Sequence, residues 1–158
     1  MFTYVILLST MGYTAIALVS VQDMEVMKNE FSGLENNLHY TYKMALVDMD
    51  NIIASTVTAV KNSGQNEKMQ CISQMGKRFM VDVEEKVREA CMHLIATCRN
   101  FLEMLNKGDL NQEELLQAEE MIRENSSFKQ QIYETNNFVK NYMLQKSIEF
   151  NEKAEKCY

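Results

Sequence analysis

The chain contains no proline and no tryptophan, and only 5 glycines among 158 residues. Proline fixes φ and removes a backbone donor, and glycine supplies the left-handed turns on which short strands depend. A chain poor in both has few forced reversals, which favours long helices over a sandwich or barrel of many short strands. Basic residues are also in the minority, 16 against 22 acids, for a formal net charge of −6. They are spread singly, so no basic stripe exists to neutralise phosphates, and nucleic-acid binding is not expected. An amphipathic anchor on anionic lipid is disfavoured for the same reason.

Signatures of catalysis are missing as well. The sequence holds no H-E-x-x-H, no glycine-rich phosphate loop and no Walker motif. The 2 histidines, His39 and His93, lie on different segments, and neither sits in the neighbourhood of a hydrolase motif. Asp48 and Asp50 hint at a calcium loop, but its glycine and terminal glutamate are absent. Glu89 precedes His93 by four residues, not by the three of di-iron bundles. Acidic pairs such as Glu84-Glu85 and Glu113-Glu114 read as a solvated face. The expectation is a protein that is not an enzyme and has no cofactor and no metal site.

What is present begins with an uncharged leader. Met1 to Val21 carries no charged side chain, and Phe2, Tyr4, Val5, Ile6, Leu7 and Leu8 form an apolar run before the small-residue site Ala15-Ile16-Ala17. This pattern predicts a secretory signal peptide over residues 1–20, cleaved after Ala17 or after Ser20. The alternative is an uncleaved anchor, since the run is just long enough to span a bilayer. Cleavage leaves residues 21–158 as a single secreted domain with no membrane association.

The rest divides into three periodic segments. From Gln22 to Asn62 apolar residues recur at steps of three and four (Met27, Phe31, Leu34, Leu38, Tyr42, Ala45, Met49, Ile52). A polar break, Asn62-Ser63-Gly64-Gln65-Asn66, separates this run from the next. The second stretch, Met69 to Leu105, carries one continuous stripe: Ile72, Met75, Phe79, Val83, Val87, Cys91, Leu94, Cys98, Phe101 and Leu105. Gly108 then reads as a helix stop. Asn111 and Glu114 form a capping signature that opens a third segment running to about Lys156, with Leu110 and Leu115 as a hydrophobic staple. Asn125-Ser126-Ser127 interrupts this segment. Yet Met121, Ile132, Met143 and Ala154 keep an eleven-residue spacing across it, as do Phe128, Val139 and Phe150, close to a straight helical period. The predicted fold is all-α: an elongated, coiled-coil-like antiparallel bundle of three long helices, the third with a weak point at residues 125–127.

A secreted chain meets an oxidising compartment, so 4 cysteines suggest disulfides. Cys91 and Cys98 lie seven apart on one stripe, about 10 Å along the axis, and Cys71 lies about 30 Å before Cys91. Those separations exceed the reach of a disulfide. An antiparallel third helix returns its end to the start of the second, which pairs Cys71 with Cys157. Cys91 and Cys98 remain as free thiols, either small core residues or intermolecular bridges in a homodimer. Asn125 opens the only glycosylation sequon.

Methionine is frequent, at 13. Met24, Met27, Met49, Met75, Met121 and Met143 fall on the stripes, with Phe31, Phe79, Phe101, Phe128, Phe138 and Tyr142 near them. Core filling accounts for this. A soft lining able to repack around lipid-like ligands is the other reading.

Cys71-Ile72-Ser73, followed by the close pair Cys91 and Cys98, resembles the secreted helical insect gut proteins of the tsetse EP type. The likeness covers about the middle third of the chain. The cysteine spacing differs, and an upstream cysteine common in that group is absent here. The resemblance implies secretion, a helical domain and no established enzymatic activity. The sequence is thus expected to encode a secreted, non-enzymatic interaction or structural component whose partner is an unidentified protein. The alternative is a carrier of hydrophobic small molecules within a Met/Phe-lined bundle.

Overall fold

A computed structural model describes residues 21–108 and 110–157. The expected signal peptide and both of its cleavage sites therefore lie outside the described residues, apart from the Ser20–Val21 junction's second partner. Among the described residues there are four helices and no strand: α1 (Val21–Asn62), α2 (Asn66–Lys107), α3 (Gln112–Ile122) and α4 (Ser127–Glu155). Helices α1 and α2 form a long antiparallel hairpin, and α4 lies along it, in contact with both.

Local chemistry sets the ends. Gly64, at φ 76°, turns the chain between α1 and α2. Gly108 closes α2 in the left-handed conformation, its N–H donating to the Met104 carbonyl. Asn111 and Glu114 form the reciprocal box expected of them. The Glu114 N–H donates to Asn111 Oδ1 at 3.0 Å and the Asn111 N–H donates to Glu114 Oε2 at 2.8 Å. Leu110 and Leu115 are both half-buried against the core.

The third segment is a correction. It is not one helix but two, α3 and α4, separated at residues 123–126. Arg123 leaves the helix at φ −58°, ψ 145°, and Ser126 takes an extended conformation as the N-cap of α4. The Ser126 hydroxyl explains the break, because it serves both helix ends. It accepts from the Lys129 N–H at 3.1 Å and donates to the Met121 carbonyl at 2.6 Å. A serine oxygen that satisfies an orphan donor and an orphan carbonyl together removes the advantage of continuing the helix. The apolar phase survives because Phe128, Ile132, Val139, Met143, Phe150 and Ala154 are all buried.

The core runs the length of the rod. On α2 the stripe is buried as expected at Ile72, Phe79, Val83, Val87, Cys91, Leu94, Cys98 and Leu105, while Met75 and Phe101 are half-buried. Aromatic contacts tie the helices at two levels. Phe31 stacks on Phe101 with centroids 5.1 Å apart and approaches Phe128 at 6.5 Å, joining α1, α2 and α4. At the other end Phe79 meets Phe150 edge-on at 5.3 Å. Phe138 departs from its expected place: it is 41% exposed and stacks on Tyr142 outside the core.

The face between α1 and α4 is polar by contrast. Lys129 pairs with Glu30 at 2.8 Å. The Thr41 hydroxyl donates to Asn136 Oδ1, and the Asn136 amide donates to Asn37 Oδ1, each at 2.8 Å. These directional bonds fix how far α4 slides along α1.

Candidate functional site: the disulfide end and the buried thiols

Because α4 runs antiparallel to α2, its last turn returns to the first turns of α2. Cys71 and Cys157 meet there with Cα atoms 5.8 Å apart and sulfurs in disulfide bond, across a sequence separation of 86. Cys157 is buried at the end of the core, whereas Cys71 is half-buried and lines a groove between α2 and α4.

The groove has a volume of about 530 Å3. Phe79 lies beneath it, buried to 7% exposure. Charges gather around that ring. Lys146 donates to Asp82 Oδ2 at 2.6 Å and to Glu149 Oε2 at 3.0 Å. Lys153 donates to Glu149 Oε1 at 2.6 Å. Both ammonium groups stand near the Phe79 ring, at 5.4 and 5.3 Å from its centroid, a favourable placement over an aromatic quadrupole. The Tyr142 hydroxyl donates to Asp82 Oδ2 at 3.3 Å, and the Lys146 ammonium lies 5.6 Å from the Tyr142 ring. Hydrogen bonding to Asp82, and then to Glu149, raises the Lys146 pKa. The bonds from Lys153 and Lys146 lower that of Glu149. Both shifts favour the charged forms of Lys146 and Glu149.

Cys91 and Cys98 are unpaired and fully buried on the core face of α2. Burial pushes the Cys91 thiol up to about 11. Burial, reinforced by the nearby Glu35 carboxylate, pushes the Cys98 thiol up to about 12. A thiol is nucleophilic only as its thiolate, so both are inert in the folded chain near pH 7. This placement fits the core-residue alternative. A bridge to a second chain through either thiol requires the core face of α2 to turn outward.

The histidines are not joined. His93 lies exposed on α2, and His39, on α1, sits 3.4 Å from Glu35 Oε1. Arg99 donates to the same carboxylate through Nε at 3.1 Å and Nη2 at 2.8 Å, linking α2 to α1. No group of three or more potential metal ligands converges among the described residues. Asn125 is exposed in the turn between α3 and α4, and Ser127, the hydroxyl residue of its sequon, is also exposed. The groove at the disulfide end was not legible in the sequence, since nothing in the spacing brings Asp82 to Lys146.

No family model, no curated protein and no solved structure matches this chain. No helix among the described residues is long and apolar enough to cross a membrane.

Proposed function

We propose that this chain is a secreted, non-enzymatic helical protein that acts as an extracellular interaction or structural component. The observation that carries this reading is the solid interior. Phe31, Leu38, Met49, Ile72, Val83, Val87, Cys91, Ile95, Cys98, Leu105 and Phe150 are all buried below 2% exposure along the rod. The groove between α2 and α4, lined by Met75 and Phe79, is open to solvent. A carrier that swallows an apolar ligand needs an interior void, and the close-packed aliphatic, aromatic and thiol side chains of this core argue against one.

The outside of the rod offers the contact surface instead. Val26, Tyr40 and Val47 stand exposed on one face of α1 at multiples of seven residues. Tyr133, Leu144 and Ile148 form a second exposed row on α4. Exposed aromatic and aliphatic rows on a rigid rod suit a protein partner. The Cys71–Cys157 bond supports an oxidising compartment, and the likeness to insect gut proteins of the tsetse EP type supports the same reading.

Expression through a secretory pathway tests the proposal. The secreted product should begin after Ala17 or Ser20, carry the Cys71–Cys157 peptide under non-reducing digestion, and shift in mass with glycosidase through Asn125. An intact Met1 overturns the secreted reading. Uptake of a neutral fluorescent lipid at one molecule per chain overturns the solid interior and favours the carrier.

A further inference from the structure

The groove at the disulfide end has a charge balance that nothing in the proposed function uses. Three cations (Arg78, Lys146 and Lys153) and two carboxylates (Asp82 and Glu149) line it. The two lysines are committed to the two carboxylates by the bonds at 2.6 to 3.0 Å. Arg78 has no hydrogen-bonded or ionic partner among the described residues. One positive charge, on a planar fork of donors, is left over beside the half-buried Met75 and Cys71, with Phe79 nearly covered beneath the lysines.

We propose that this groove binds a small amphipathic monocarboxylate, its head group held by Arg78 and its apolar body laid along Met75 and the Cys71 side chain. The guanidinium fork matches a carboxylate through two parallel hydrogen bonds, which an ammonium cannot reproduce. The groove's volume of about 530 Å3 lies within the range of small-molecule sites. Preorganisation favours it too. The lysines are already fixed over the Phe79 ring and on Asp82 and Glu149, so the ion-paired wall beside Arg78 stands before the ligand arrives. The single surplus charge selects a monoanion. A dianion brings its second charge against Asp82 and Glu149, and a cation meets three like charges. The site lies on the surface, so it is independent of what the exposed rows of α1 and α4 contact.

Titration of the whole secreted protein with octanoate, octanol and octylammonium, followed by NMR, tests this inference. The three probes share an apolar body and differ in charge. Octanoate should saturate one site and shift the resonances of Gln74 and Met75, which line the groove, with octanol and octylammonium at least tenfold weaker. Arg78→Gln should weaken octanoate at least tenfold, and Arg78→Lys should fall between it and the natural chain. Arg78 holds no contact that the fold depends on, so both variants should keep the natural melting temperature. Arg88→Gln, about 15 Å further along α2, should bind octanoate as the natural chain does. Equal affinity for octanol, unchanged binding by Arg78→Gln, or no saturation by octanoate up to about 10 mM, which corresponds to less than about 3 kcal/mol of binding, would overturn the proposal.

Discussion

Replacing both Cys71 and Cys157 with alanine removes the covalent tie between the start of α2 and the end of α4. The bond closes a loop spanning 86 positions. Chain-entropy arithmetic for a loop of that size gives about 4.5 kcal/mol of stabilisation, acting through the unfolded state. The folded state should change little, because Phe150 and Ala154 anchor the last turns of α4 in the core at 0% and 6% exposure. For a domain of this length that loss corresponds to a fall in melting temperature of about 15 °C. Urea unfolding followed by circular dichroism should show a lower midpoint and a steeper m-value, since the unlinked chain expands further when unfolded. The native helix signal should be preserved except for the terminal turn. A loss below about 1 kcal/mol with an unchanged m-value would refute the loop-entropy reasoning. A large loss of native helix would show that the bond holds α4 in place rather than restraining the unfolded chain.

Gly76→Ala separates propensity from packing. Alanine gains about 1 kcal/mol in a helix interior, but its Cβ would stand 2.7 Å from Ile53 Cγ2. A net destabilisation of about 1 kcal/mol is expected, because overpacking costs more than the propensity gain. In an Ile53→Ala background, which lacks Cγ2, the same glycine substitution should instead stabilise, and a more stable single variant would show that Ile53 yields freely. The buried thiols link stability to alkaline pH. Unfolded thiols ionise near 9, whereas Cys91 and Cys98 in the fold ionise near about 11 and 12. Their contribution is complete below pH 9 and is lost as pH rises through 11 to 12. Unfolding free energies measured at pH 8 and 10.5 should therefore fall more steeply for the natural chain than for a Cys91→Ala, Cys98→Ala variant. Parallel slopes would remove the thiols from the account. Asn111→Ala should cost α3 about 1 kcal/mol, read as faster hydrogen exchange at Glu114, whose N–H loses its Asn111 Oδ1 acceptor, while the return bond from the residue 111 backbone N–H to Glu114 needs no side chain and survives. Unchanged exchange there would mean that packing alone holds α3.

Legibility followed the physics of each feature. The stripe on α2 could be read because one helical period places Ile72 to Leu105 on one side regardless of partner. Ile95 was missed, although it is 1% exposed. It lies one step beyond Leu94, and only a helix packed against both α1 and α4 buries an arc that wide. Phe138 was placed near the core on composition, but on α4 it falls outside the arc that faces the hairpin. The break before α4 was visible as a weak point, yet the apolar phase argued for continuity. Both observations hold, since the phase is carried through a turn capped by Ser126.

The sequence by itself determined the helical class, the stop at Gly108, the Asn111 cap and the choice of Cys157 as the partner of Cys71. Each rests on contacts within a few residues, on a fixed helical rise, or on the antiparallel return that short turns impose. Tertiary structure decided the rest. The break into α3 and α4, the register set by Asn37, Thr41 and Asn136, the depth of Cys91 and Cys98, and the groove around Phe79 all depend on two or three helices meeting. Side chains such as Asp82 and Lys146 acquire their roles only there, because the distance between them is fixed by packing and not by the spacing of residues along the chain.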